Sequence, residues 1–165
     1  MTLVDSNVLL DVVTDGQAWA DWSQNRLEQA ALDGPLVIND AIYAEVSARY
    51  ATIEAINSML DELGIEVAPM PRAALFLAGK AYLQYRAGGG LRTGVLADFF
   101  IGAHAVVEQL PLLTRDARRY HSYFPRIKLI TPDLVECHTP RYRCGSRSNA
   151  GMPSGTWWNG CLSMV

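Results

Sequence analysis

The sequence predicts one α/β domain of three layers, α/β/α, in which helices cover both faces of a central parallel sheet. Short apolar runs of two or three residues alternate with stretches of helical period through most of the chain, a pattern that reads as strand, helix, strand. Enough chain lies between successive runs for a crossover helix, which parallel pairing requires. Half of the 165 residues are apolar and 19% are charged, so a substantial core can be buried and disorder by composition is excluded. The length suits one domain and is too short for two doubly wound ones.

The elements follow in order. Thr2-Leu3-Val4 reads as a buried strand, and Ser6 or Asn7 sits near the start of the next helix, since both residue types favour helix starts. A second helical stretch runs from Ala18 to Leu32. Leu36-Val37-Ile38 is the next strand, and Asn39 or Asp40 caps a helix that reaches about Tyr50. Ile53, Ile56, Leu60 and Leu63 recur at intervals of three and four on another helix. Ile65-Glu66-Val67 is a short strand, and Pro71 suits the first turn of a helix to about Arg86. Gly88-Gly89-Gly90 breaks that helix. Val95 to Glu108 is helical, Leu112-Leu113-Thr114 is a strand and Asp116 opens a short helix. Lys128-Leu129-Ile130 is the last strand, stopped by Pro132. There is no internal repeat.

The pattern is lost near Cys137. The domain is therefore expected to span residues 1–136, with 137–165 an irregular tail appended to it, rich in Gly, Ser and Pro. All 17 acids precede residue 138, whereas the tail carries only arginines as charged groups. The three cysteines, Cys137, Cys144 and Cys161, match no zinc spacing, and their odd number argues against a disulfide framework. A net charge of −3 excludes a protein that coats nucleic acid through bulk charge, so any such contact is local. The opening Met1-Thr2-Leu3-Val4-Asp5 lacks the basic and then apolar pattern of a secretory leader, and no run has the apolar density of a membrane helix. A cytoplasmic protein without membrane contact is expected.

Ligands of open α/β sheets gather beyond the carboxyl ends of the strands. Asp5 and Asp116 immediately follow strands, Glu45 lies on the helix after the second strand, and Asp98 lies in a first helical turn. Taken singly, Asp5 and Asp116 also suit helix caps, and Asp98 suits a helix dipole. Four carboxylates brought together would repel one another, and a divalent cation reverses that preference. An all-oxygen site suits Mg²⁺ or, as a substitute, Mn²⁺. Such ions activate water against a phosphodiester.

The order Val4-Asp5-Ser6-Asn7, then Ile42-Tyr43-Ala44-Glu45-Val46, then Leu96-Ala97-Asp98-Phe99-Phe100-Ile101-Gly102-Ala103-His104-Ala105, then Leu113-Thr114-Arg115-Asp116 resembles the PIN domain, and within it the VapC toxins of type II toxin–antitoxin systems. The likeness covers about residues 1–133. It implies a three-layer fold, a Mg²⁺-dependent endoribonuclease acting on RNA, a cognate antitoxin protein as partner, and a homodimer. By motif match it makes Asp5, Glu45, Asp98 and Asp116 the catalytic, metal-binding acids, with Ser6, Asn7 and Thr114 supporting them. The tail departs from the family pattern.

Arg86 and Arg92 flank the glycine run and, with Arg115, are candidates to hold substrate phosphates; Arg118 and Arg119 add to a local basic patch. The glycines lack the strand-to-helix context and the Gly-Lys-Ser/Thr signature of a phosphate cradle, and read as a flexible loop able to close on a nucleic-acid backbone. His104, about 240° around the helix from Asp98, is not expected to share its face. Trp19 and Trp22, with the Ile53 to Leu63 stripe, are either core or a groove for a partner helix. Two rivals remain: a phosphoacceptor receiver-like domain, which would need paired acids after the first strand and a late lysine, and a PIN-like module that has lost catalysis.

Overall fold

β1 (Thr2–Val4) occupies the centre of a five-stranded parallel sheet of order β3-β2-β1-β4-β5. The computed structural model describes residues 1–14, 18–90 and 96–132. Arg92, the start of the helix expected from Val95, and the tail at 137–165 lie outside the described residues. The other strands are β2 (Leu36–Ile38), β3 (Ile65–Val67), β4 (Leu112–Leu113) and β5 (Leu129–Ile130). Register pairs Leu3 with Val37 on one side of β1 and with Leu112 on the other. β1, β2 and β4 are buried throughout, whereas Glu66 and Val67 of the edge strand β3 are exposed. That is why the central runs contain almost no polar residue.

α1 (Ser6–Val13) and α2 (Ala20–Asp33) link β1 to β2. α3 (Asp40–Ser47) and α4 (Ile53–Glu62) link β2 to β3. α5 (Arg72–Ala87) and α6 (Leu96–Val107) lead back across the sheet to β4, and α7 (Ala117–His121) leads to β5. Crossovers of one hand place their helices on opposite faces when the step along the sheet reverses, so the sheet is covered on both sides. α1 packs on α2, and α5 packs on α6.

The expected elements are present with small shifts. The helix after β2 ends at Ser47, not near Tyr50, and Pro71 stands at the N-cap of α5, just before its first turn. Asn39 is the cap of α3, its side chain accepting from the amide of Ile42 at 3.0 Å. Ile56 and Leu60 are core, while Ile53 at the head of their stripe is 61% exposed. Gly88, Gly89 and Gly90 do not begin as a loose loop: their amides donate to Gln84, Arg86 and Tyr85 carbonyls and close the end of α5. Gly89 takes φ +88°, a conformation that suits a helix C-terminus and disfavours a side chain.

Candidate active site

Strand order reverses direction between β1 and β4, because the chain steps from β1 to β2 on one side and reaches β4 only later on the other. The two strands stay paired to their carboxyl ends, and the connections leaving them turn to opposite faces of the sheet and leave a crevice. A cleft of about 390 Å³ lies at that point, and its walls include Asp5, Ser6, Asn7, Glu45, Asp98, Arg115, Asp116 and Arg119. All four expected acids thus line one cleft, and each arrives on a different element.

Asp5 stands at the N-cap of α1 but makes no capping bond. Its carboxylate is 4% exposed and is held by donors from distant parts of the chain. Oδ2 accepts from Thr114 Oγ1 at 2.6 Å, Asn7 Nδ2 at 2.8 Å and Tyr120 Oη at 3.0 Å. Ser6 Oγ lies 3.3 Å from Oδ1 and donates to Glu45 Oε2 at 2.7 Å, which ties α1 to α3. Thr114 is fully buried, and its hydroxyl also accepts from Asn7 Nδ2 and from the Asp116 amide, each at 3.1 Å. Asp116 does cap α7, accepting from the Arg118 amide at 3.2 Å.

Asp98 lies in the first turn of α6, and Arg119 Nη1 donates to both its oxygens at 3.1 and 3.2 Å. The same guanidinium pairs through Nε with Asp116 Oδ2 at 2.8 Å. Burial pushes the Asp98 carboxyl up to about 6; Arg119 pulls it down, and the charges of Asp5 and Glu45 push it further up. The Tyr120 phenol is raised well above its ordinary value by burial and then by Asp5, so it stays a neutral donor.

Among the described residues, no three Asp, Glu, His or Cys side chains are grouped closely enough to hold one ion as they stand. Arg119 bridges two of the acids, Asp98 and Asp116, and supplies positive charge between them. The donor set nonetheless fits a hard divalent cation: it is made of carboxylate oxygens, and Asp98 is destabilised as an anion.

Arg86 is not in the cleft wall. Its guanidinium donates through Nη1 to the Gly90 carbonyl at the end of α5. Arg115 does line the cleft, and Arg118 is exposed beside it on α7. His104 is 2% exposed within α6, and burial lowers its pKa, so it is a neutral core residue away from the cleft. Sequence reasoning missed Tyr120 and Asp11. Asp11 is visible in hindsight as the one acid in Val8-Leu9-Leu10-Asp11-Val12-Val13, and Tyr120 as the residue four beyond Asp116, on its helix face.

No helix among the described residues is long and apolar enough to cross a membrane. A comparison with curated protein sequences gives no match. Solved structures share the fold. VapBC2 from Rickettsia felis, bound to a promoter DNA fragment, superposes with a TM-score of 0.62 at 20% identity, over 80% of this chain and 98% of that one. VapBC-1 from nontypeable Haemophilus influenzae gives 0.59 at 14% identity, over 79% and 96%. VapC20 from Mycobacterium tuberculosis, described as a sarcin–ricin loop cleaving toxin, gives 0.53 at 14% identity, over 78% and 99%. The sequence model of the PIN domain matches residues 2–126, which sets aside the receiver-like alternative. With that match over most of its length, and with four acids meeting at the switch point of a parallel sheet, the chain belongs to the PIN domain family.

Proposed function

We propose that this protein is a Mg²⁺-dependent endoribonuclease, with Mn²⁺ as a substitute, acting as the toxin of a type II toxin–antitoxin pair. It works in the cytoplasm as a homodimer, and a cognate antitoxin protein neutralises it. The observation that carries the reading is the meeting of Asp5, Glu45, Asp98 and Asp116 in one cleft, together with an Asp98 carboxyl that resists ionisation there. The toxin role rests on the likeness to VapC structures.

Asp5, Glu45, Asp98 and Asp116 would hold the ion, which supplies Lewis acidity and lowers the pKa of a bound water. The chain's own groups orient and balance the site. Thr114, Asn7 and Tyr120 saturate Asp5 Oδ2, so Oδ1 retains the lone pairs available for a ligand. Ser6 fixes Glu45, the most exposed of the acids, by a short hydrogen bond. Arg119 neutralises Asp98 and Asp116 until a cation takes over.

Asp5→Asn and Asp98→Asn should each abolish Mg²⁺-dependent cleavage of an RNA pool while the circular dichroism spectrum is unchanged. Undiminished cleavage by both purified variants overturns the site. Absence of cleavage by the wild-type protein, with Mg²⁺ uptake intact, favours the binding module without catalysis. Induced expression should arrest growth, and a small DNA-binding protein encoded beside the gene should relieve the arrest.

A further inference from the structure

Next to the acids, the cleft carries a second group of side chains that metal binding does not explain. Trp19, half-exposed at the head of α2, lines the same cleft as the carboxylates. The Arg115 guanidinium carbon stands 5.8 Å from the centre of its ring. Trp22 meets Trp19 edge to face, with ring centres 6.1 Å apart and planes at 87°.

Arg115 is held from behind. Its Nε lies 2.8 Å from Oδ2 of Asp11, a carboxylate only 4% exposed. Ser23 Oγ donates to the same Asp11 oxygen at 2.7 Å. A buried carboxylate costs desolvation, and here it forms a close ion pair with one arginine at a cleft wall, by proximity of charge and without an aligned hydrogen bond from Nε. The backbone of that arginine is tied to the acids as well: its amide donates to Asn7 Oδ1 at 3.2 Å, and Asn7 Nδ2 donates to Asp5 Oδ2 at 2.8 Å. Trp19 and Arg115 therefore sit at a set position relative to Asp5.

A flat ring beside a fixed planar cation, at the edge of an acidic phosphodiester site, has the chemistry of a base platform. Unpaired bases stack on aromatic and guanidinium planes, whereas bases inside a duplex are already stacked. We propose that Trp19, with Arg115 positioned by Asp11, stacks an unpaired nucleobase flanking the scissile phosphate. This rests on the nuclease reading above and adds a base-positioning residue to it.

The test is a coupling measurement with full-length protein carrying Asp98→Asn, so that RNA is bound and not cut. Fluorescein-labelled ten-nucleotide RNAs of mixed sequence, and the same RNAs with an abasic site moved through each position, are titrated in Mg²⁺ and followed by anisotropy. Trp19→Ala should weaken binding of the intact single strands about 5- to 150-fold, the range for loss of one base stack. Trp19→Phe should retain most of the affinity, and one abasic position should lose its effect in the Trp19→Ala background. Asp11→Asn should weaken binding in the same direction through Arg115.

Equal binding by Trp19→Ala, additive effects of Trp19→Ala and every abasic site, or equal affinity for a duplex overturns the platform, even where the wild-type protein cleaves RNA. Should Trp19→Ala fail to fold, Trp19→Leu against Trp19→Phe decides the same point, since only Phe can stack. If the wild-type protein neither binds nor cuts any of these RNAs, the nuclease reading falls and takes the platform with it.

Discussion

Asp98 is pulled in opposite directions. Burial and its carboxylate neighbours resist its charge, and Arg119 favours it, with the balance at about 6. An unfolded aspartate titrates near 4, so between those values the folded chain binds the extra proton. In the absence of a cation, stability from this group is therefore greatest at low pH and declines as pH rises from about 4 through about 6. A cation must displace that proton, so calorimetric Mn²⁺ affinity should fall about tenfold per pH unit below pH 6 and level off above it. A flat profile from pH 5 to 8 would contradict the assignment of Asp98. Arg119→Gln removes the built-in counter-ion: Mn²⁺ should bind more tightly at pH 8, and the Asp98 titration followed by NMR should move up. Because the Arg119 side chain is 56% exposed, losing its pairs should cost no more than about 1 kcal/mol of stability each. Weaker Mn²⁺ uptake by this variant would make Arg119 a support for the site, not a competitor.

At the scale of the element, α6 decides where Asp98 stands. Phe99, the next residue, is 2% exposed and meets Tyr82, Tyr85, Tyr123 and Phe124, with ring centres 5.1 to 6.4 Å apart. Burying such a ring contributes about 1.5–3 kcal/mol, and it anchors the first turn of the helix. One turn further, Gly102 is buried against the ring of Phe124, which a methyl group would overlap. Alanine there gains up to about 1 kcal/mol of helix propensity but overpacks the core at about 1–3 kcal/mol. Gly102→Ala should show a net loss in a denaturant melt. On α5, Gly79 is exposed with open space around its Cβ position. Gly79→Ala should therefore stabilise by about 0.5–1 kcal/mol. The reverse order of the two melts would mean that Phe124 yields freely.

For the whole molecule, the decisive feature is a parallel sheet that changes direction beside β1. Each of the four acids lining the cleft is carried there by a different connection, Asp5 at the start of α1, Glu45 on α3, Asp98 on α6 and Asp116 at the start of α7, so the cleft depends on the order of strands β2, β1 and β4. The tail at 137–165 is proposed to lie outside the working domain. Its composition changes near Cys137, and the PIN match ends at residue 126. Truncation after Glu136 should leave the melting temperature and RNA cleavage unchanged, and a loss of either would make the tail part of the working domain.

Strand and helix order was legible along the chain because periodicity is local. A buried run such as Leu36-Val37-Ile38 declares itself without knowledge of its neighbours, and Asn39 announces the helix that follows. That the four acids share one cleft was foreshadowed for three of them, since Asp5 and Asp116 follow strands and Asp98 lies in a first helical turn; Glu45, late in α3, was picked out by the resemblance. What those acids touch was not legible. Asp5 takes its hydroxyl donors from 109 and 115 residues away, and Arg86, close in sequence to the glycine run, spends its charge on the Gly90 carbonyl. Arg119 reaches back 21 residues to bridge Asp98 and Asp116. Pattern along a chain specifies which segments form and which face they bury. Only the crossovers, by setting strand order and helix placement, decide which polar atoms come within hydrogen-bonding distance.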